Sequence, residues 1–205
     1  TINSSGSICR NFIRSVAIDK YGNIWAGTYA SGINKLDKEK NIFINYRNDP
    51  NNANSLSNNF VSSIFTDSNG ELWIGTGGGG LNKYDPSSDK FKSFKNDESD
   101  LNSISSNFVN SISEESHGIL LIATQNGLNK FDKSTGKFER IRINHEDKLK
   151  NENISAFIKD RSGVIWLSSY NDGLYKMQFT PDKFKNILSG NNTKCIYEDG
   201  SGRLW

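Results

Sequence analysis

The feature that most restricts what this chain can become is a ten-residue pattern that it keeps repeating. Asp67-Ser68-Asn69-Gly70-Glu71-Leu72-Trp73-Ile74-Gly75-Thr76 has counterparts along the whole sequence, with the turn glycine at Gly22, Gly70, Gly118, Gly163 and Gly202. Successive copies lie 48, 48, 45 and 39 residues apart. Periods of that size belong to stacked units that bury their apolar faces on one another. A length of 205 residues is then absorbed by a single domain.

Each copy has the same internal order. In the first, Ile13, Ser15 and Ala17 alternate with Arg14, Val16 and Ile18, the period of a strand. The turn Asp19-Lys20-Tyr21-Gly22 follows, because an Asp carboxylate can accept amides of its own turn and Gly can take a positive φ. A second strand carries Trp25, and a third opens on glycine, as Gly32-Ile33-Asn34-Lys35-Leu36-Asp37, Gly80-Leu81-Asn82-Lys83-Tyr84-Asp85 or Gly127-Leu128-Asn129-Lys130-Phe131-Asp132. Fourth strands include Ile42–Tyr46 and Phe91–Phe94. The linkers are related too: Asn54-Ser55-Leu56-Ser57-Asn58-Asn59 matches Asn102-Ser103-Ile104-Ser105-Ser106-Asn107, with Ser and Asn to satisfy loop backbone and one aliphatic side chain to pin the loop. No segment has a long apolar face at helical spacing. The expected fold is all-β, an incomplete β-propeller of four-stranded antiparallel blades, about four blades plus a partial fifth. The blades are expected at residues 12–49, 60–97, 108–145, 154–189 and, in part, 193–205. Residues 1–11 read as the tail of an upstream unit.

A hydrophobic content of 34% and a mean hydropathy of −0.63 are low for a chain with a core. Large side chains in register supply one. Trp25, Trp73, Trp166 and Trp205 stand three residues after the marker glycine and read as a packing series, in which the third repeat substitutes Leu121. The recurring third-strand Lys reads as a snorkelling structural side chain. The formal charge is +2, with Lys and Arg scattered through every repeat, so no basic stripe marks a nucleic-acid partner. Cys9 and Cys195 have no close partner and no CxxC spacing, which excludes a disulfide scaffold and a thiolate zinc site and leaves a pairing of the two ends open. No apolar run approaches a membrane span, and no contact of these residues with a membrane is expected.

Few residues suggest chemistry. Gly75-Thr76-Gly77-Gly78-Gly79-Gly80 satisfies a dinucleotide-loop pattern, but a strand follows where such a loop must open a helix. Asp67-Ser68-Asn69-Gly70 resembles the start of a calcium loop without its later carboxylates. His117 and His145 occupy different kinds of loop, and no paired nucleophile and base stands out. No cofactor, metal or catalytic residue is therefore expected. Propeller topology places the loops between second and third strands and those between blades on one face, opposite the Asp-x-x-Gly hairpins. Ligand-binding candidates on that face are Tyr29, Ser31, Gln125, Asn126, Tyr170, Asn171 and Asp172, with Arg14 and Asn110 at the entries of innermost strands. The tyrosines can stack on sugar rings while the amides bind hydroxyls.

Together, Asp-x-x-Gly-x-[Ile/Leu]-Trp-x-Gly-Thr, Gly-[Leu/Ile]-Asn-Lys-[Tyr/Leu/Phe]-Asp and Asn-Ser-Leu-Ser-Asn-Asn resemble the two-component regulator propeller repeat. The resemblance covers nearly all of residues 12–205. It departs from the pattern in the third repeat, at Glu115-Ser116-His117-Gly118 and Leu121. It implies the periplasmic or extracellular sensor region of a membrane-bound histidine kinase, hybrid regulator or related protein, with further blades, an immunoglobulin-like domain, a membrane span and a signalling domain elsewhere in the parent. It also implies a small-molecule or oligosaccharide ligand, glycan breakdown products among the choices. The alternatives are a propeller lyase or glycosidase, since streptogramin-lyase-like propellers share a similar repeat, and a protein-binding scaffold. An open propeller exposes blade faces at its ends, so self-association is expected.

Overall fold

The computed structural model of the chain describes residues 2–5, 7–8, 12–141, 153–170, 173–178, 183–188, 196–203 and 205. Cys9, His145, Asn171, Asp172 and Cys195 lie outside them. Among the described residues every regular element is a β-strand. The first sheet contains β1 (Ile2–Ser5), β2 (Ile13–Ile18), β3 (Ile24–Thr28), β4 (Ile33–Asp37) and β5 (Ile42–Tyr46). The second holds β6 (Val61–Thr66), β7 (Leu72–Thr76), β8 (Gly80–Asp85) and β9 (Lys90–Phe94). The third holds β10 (Val109–Ser116), β11 (Ile119–Thr124), β12 (Gly127–Asp132) and β13 (Lys137–Ile141). The fourth holds β14 (Ile154–Lys159), β15 (Ile165–Ser169), β16 (Gly173–Gln178) and β17 (Lys183–Leu188). The strands β2–β5, β6–β9, β10–β13 and β14–β17 each meander antiparallel in chain order, and β1 joins the first sheet beside β5. A fifth hairpin is closed by reciprocal backbone bonds between Tyr197 and Trp205. This is an incomplete propeller. Residues 2–5 add a strand that the sequence reading did not assign, and it pairs with β5, from Ile2 opposite Tyr46 to Ser5 opposite Phe43. The outer edge of β5 would otherwise present unpaired backbone, and β1 satisfies it.

The hairpin signature works through a single carboxylate. Oδ1 of Asp19 accepts the amides of Tyr21 and Asn23, each at 2.9 Å, and Oδ2 accepts the indole Nε1 of Trp25 at 2.9 Å. Asp67 does the same for Asn69, Glu71 and Trp73, Asp160 for Ser162, Val164 and Trp166, and Asp199 for Ser201, Arg203 and Trp205. The turn and the packing tryptophan, separate in the sequence reading, are one hydrogen-bonded unit. The third-strand lysine belongs to it as well. Lys35, Lys83 and Lys176 sit opposite Trp25, Trp73 and Trp166 in register and hold their ammonium groups 5.3–5.6 Å from the indole centroids. In the third sheet Glu115 and Leu121 replace both Asp and Trp. Lys130, opposite Leu121, turns to the Glu115 carboxylate at 3.2 Å. The two departures from the repeat are therefore one change, because an indole without its acceptor would bury an unpaired N–H.

Between blades the core is continuous. Trp25, Ile33 and Tyr46 pack on Val61, Ile64 and Leu72, and Trp73 and Leu81 pack on Val109, Ile112 and Leu120. Leu121 and Leu128 pack on Ile154, Phe157 and Ile165. Gly27 and Gly75 let these faces close, since a Cβ at either would collide with Val61 or Val109. The linkers repeat their bonds: Asn59 Oδ1 accepts the Asn48 amide and Asn107 Oδ1 the Asn96 amide, both at 2.8 Å, over fully buried Leu56 and Ile104. The first face of the first sheet has no such cover. Val16 is 59% exposed, whereas Ile64 and Ile112 at its repeat position are buried.

The second and third blades are also joined by an ion pair. Lys133 Nζ lies 2.6 Å from Asp67 Oδ2 and 3.4 Å from Glu71 Oε2, with both partners of the shorter contact largely buried. Burial alone would raise the Asp67 carboxyl, but the Lys133 ammonium, the Trp73 indole and the Glu71 amide hold it below the ordinary carboxylate value. Burial alone would lower the Lys133 ammonium, and Asp67 and Glu71 raise it instead. A depressed acid stabilises above its unfolded pKa and loses that as pH falls; a raised base stabilises below its unfolded pKa and loses that as pH rises. Urea denaturation across pH should therefore show a plateau bounded by losses below roughly pH 4 and above roughly pH 10. Lys133→Met should shrink the alkaline loss, leaving the share of the Tyr46 and Tyr84 hydroxyls that burial and Asp89 also hold above the usual tyrosine value, and cost about 3 kcal/mol at neutral pH by leaving Asp67 buried without its cation. An unchanged alkaline limb would contradict the assignment.

Candidate ligand-binding cleft

The first strands of successive sheets, β2, β6, β10 and β14, lie side by side along the inside of the propeller. Each carries a β-bulge at one repeat position, with the register shifting between Ile13 and Ser15, Val61 and Ser63, Val109 and Ser111, and Ile154 and Ala156. The extra residues are Arg14, Ser62, Asn110 and Ser155. A bulge re-aims the side chain it inserts, and all four line one cleft of about 500 Å³.

Two further repeat positions complete the walls. One is the residue that enters the innermost strand, Phe60, Phe108 or Asn153; the other follows the second strand, Gly77, Gln125 or Tyr170. The backbone ties them together. The amide of Gly77 donates to the Phe60 carbonyl at 2.9 Å, Gln125 to Phe108 at 3.0 Å and Tyr170 to Asn153 at 3.0 Å, while Tyr29 donates to Phe12 at 3.1 Å in the first blade. Three positions from each of the second, third and fourth blades thus face the cleft, with Arg14 alone from the first, and the scaffold behind them is common to the repeats. The wall offers aromatic faces, amides and hydroxyls, with Arg14 the one fully charged group among the described lining residues.

Of the residues expected from sequence, the structure brings Arg14, Asn110, Gln125 and Tyr170 to this cleft. Tyr29 stands one ring behind it, its centroid 4.7 Å from that of Phe60 and 5.7 Å from that of Phe12. Ser31 is buried: its amide donates to Thr28 Oγ1 and its carbonyl accepts Asn45 Nδ2, both at 2.9 Å, so it holds the loop. Asn126 is exposed at the next loop, with its amide on Thr124 Oγ1 at 3.1 Å. Asn171 and Asp172 lie outside the described residues. Sequence reasoning missed Phe60, Phe108, Ser62, Ser155, Gly77 and Asn153. The recurrence of Asn-Phe-Val at 59–61 and 107–109 was a usable signal for the aromatic pair, whereas Arg, Ser, Asn and Ser share no property that announces a bulge.

Other candidate chemistry dissolves in the hydrogen bonding. Gly77, Gly78 and Gly79 join two strands; a Cβ at Gly77 would strike the Phe60 ring and one at Gly79 the Ser57 side chain, so the glycines serve close packing. The Asp67 carboxylate already accepts four donors, from Asn69, Glu71, Trp73 and Lys133, which leaves it no lone pair for a cation. His117 is exposed, with Nδ1 3.2 Å from Ser68 Oγ. Among the described residues no group of three or more His, Cys, Asp or Glu is placed to hold a metal ion.

The bulged residues differ in what holds them. Ser62 Oγ donates to the carbonyl of Val109 in the next blade. Asn110 Nδ2 donates likewise to the carbonyl of Ile154, at 2.7 Å, and to Asn153 Oδ1, at 3.0 Å. These bonds stitch neighbouring blades. Arg14 makes no stitch of this kind; its guanidinium stands 6.0 Å over the Phe60 ring. Asn110→Ala should therefore lower stability by about 1–2 kcal/mol in urea denaturation. Arg14→Ala should stay within about 0.5 kcal/mol of the parent; equal losses would show that the positions are held alike.

Comparison with known proteins agrees with this geometry. Residues 7–30, 55–78 and 148–171 match the family described as two component regulator propeller. The extracellular domain of a putative hybrid two component system from B. thetaiotaomicron superposes with a TM-score of 0.86 at 26% identity, over 96% of this chain and 27% of that one. A second such extracellular domain from the same organism gives a TM-score of 0.76 at 22% identity, over 95% and 28%. The chain thus spans little more than a quarter of these relatives. A catalytically inactive virginiamycin B lyase from Staphylococcus aureus, crystallised with quinupristin, shares the fold with a TM-score of 0.68 at 12% identity, over 100% of this chain and 66% of that one. A search of curated proteins gave no match. No helix among the described residues is long and apolar enough to cross a membrane. The hairpin signature, the stacked four-stranded sheets and these matches agree on one description, a chain that carries two component regulator propeller repeats and resembles the extracellular domains of hybrid two component systems.

Proposed function

We propose that this chain is the ligand-sensing propeller segment of a bacterial membrane-bound two-component regulator, held in the periplasm or outside the cell, with no catalysis of its own. The observation that carries the reading is the cleft at the innermost strands, where three repeat positions from each of three blades, and the bulge residue of the first, vary over a common scaffold. Varied side chains on a shared frame around a cleft suit recognition of a small molecule. Aromatic faces at Phe60, Phe108 and Tyr170 beside the amides of Asn110 and Gln125 suit a sugar ring, so oligosaccharides released by glycan breakdown are the proposed ligands.

The rival reading is a propeller lyase or glycosidase. The lyase that shares the fold is too distant in sequence to speak for activity. The described lining contains no His, Asp or Glu, the groups that most often move protons in such reactions. In the sensor reading a ligand acts by binding one arrangement of the parent's subunits or domains more tightly than another. The uncovered face of the first sheet, with Ile13 and Val16 exposed, suits self-association. Calorimetric titration of the chain with a panel of oligosaccharides should give saturable heats without turnover, and Tyr170→Ala should weaken them roughly tenfold, the effect of losing one stacking ring. Hydrolysis or elimination of a panel member would overturn the sensor reading, and uniformly flat titrations would remove the glycan. The same samples should sediment with a mass that rises with concentration; a constant monomer mass would contradict self-association.

A further inference from the structure

The four blades provide an internal control for each cleft position. At the bulge, the preceding residue is always β-branched and apolar, Ile13, Val61, Val109 or Ile154, and the following one always small, Ser15, Ser63, Ser111 or Ala156. The bulge itself forms in every blade whichever residue occupies it. Backbone geometry is therefore independent of the inserted side chain, and its identity is free to serve another purpose. In the second and third blades the side chain is partly committed to the stitch, from Ser62 to the Val109 carbonyl and from Asn110 to the Ile154 carbonyl. In the fourth, the Ser155 hydroxyl is committed within its own sheet, to the carbonyl and hydroxyl of Ser168.

Arg14 breaks this pattern. The corresponding acceptor would be the Val61 carbonyl, and Arg14 does not take it; no carboxylate among the described residues forms an ion pair with it either. Its charge faces a cleft whose described walls hold no acid to neutralise it. The planar guanidinium lies over Phe60, an arrangement that leaves its edge donors free for a second planar group. Arginine matches carboxylate and sulfate oxygens in a two-point fork, and in a recess lined by rings that pairing is stronger than in open water.

Resting on the sensor reading above, we propose that the cleft selects an anionic ligand, a short sugar chain carrying one carboxylate, and that Arg14 is the residue that determines this specificity. The carboxylate pairs with the Arg14 guanidinium at the first-blade side, the ring lies against Phe60 and Phe108, and the hydroxyls reach Asn110 and Gln125. Sulfated sugars share this chemistry and form a separate arm of the test.

The experiment is a set of titrations with matched pairs: uronate-containing disaccharides, their carboxyl-reduced neutral counterparts, and sulfated disaccharides. The parent chain should bind the uronate roughly tenfold or more tightly than its reduced partner, the size expected for one charge-assisted hydrogen-bonded pair, and the preference should shrink as salt is raised. Arg14→Gln should erase the difference by weakening the acid alone, Arg14→Lys should keep part of it, and both variants should melt with the parent. Tighter binding of the sulfated member would move the assignment from carboxylate to sulfate. Equal binding of acid and neutral partner, or a preference that survives in Arg14→Gln, would overturn the selection by Arg14 while leaving the sensor reading intact. Absence of binding by every pair, from a chain shown to be folded by its melting transition, would overturn the selection by Arg14 and count against a glycan ligand.

Discussion

The carboxylate of Asp19, Asp67, Asp160 or Asp199 accepts the amides of its own turn through one oxygen and a tryptophan indole through the other, and the blade is built out from that bond pattern. It fixes the hairpin between the two inner strands. It also sets the indole where the next blade packs, and places a cross-strand lysine over that indole. A buried Trp needs a partner for its N–H, and a buried Asp needs donors on both oxygens. Each group removes the other's desolvation cost, so neither is easily replaced alone. The third blade bears this out, since it lacks both and gives its lysine to Glu115.

Because this clasp, or the Glu115–Lys130 pair that stands in for it in the third blade, occupies the turn end of each blade, the opposite end is released from holding the hairpin. There the bulges of β2, β6, β10 and β14 aim one side chain per blade inward, and the chain can vary these without disturbing the stack. The blade junctions are likewise individual behind a common frame. Tyr46 and Tyr84 share Asp89 Oδ1 at 2.8 and 2.7 Å between the first two blades, where Phe94, Phe131 and Gly136 stand between the next two. The polar and hydrocarbon versions fill the same space, and each is internally complete.

Much of this was legible in the sequence, for a physical reason. Turns, packing tryptophans and linker asparagines are specified by residue type, and repetition makes the type visible: Leu56 and Ile104 as pins and Gly22 or Gly70 as turn glycines could be read directly. The Asp to Trp bond was not read, although its partners recur six residues apart, because alternation places side chains on a face without saying which atoms meet. The bulge left no mark at all. Its consequence, a cleft formed by Arg14, Ser62, Asn110 and Ser155, needed the register. Ser31, chosen as a loop polar residue, is buried because its neighbours Thr28 and Asn45 bond its backbone. The outward strand β1 was hidden for the same reason as the bulge, since Ile2–Ser5 carries no turn or packing residue that specifies a partner.

The central claim is that the turn aspartate and the packing tryptophan stabilise the blade as one coupled unit. A double-mutant cycle on Asp19→Ala and Trp25→Phe, read by urea denaturation at neutral pH, tests it most directly. The account predicts that the two losses are not additive, with a coupling of about 1–2 kcal/mol for a buried hydrogen bond to a charged acceptor. Losses that add to within about 0.3 kcal/mol would show that turn and tryptophan act independently, and would contradict it.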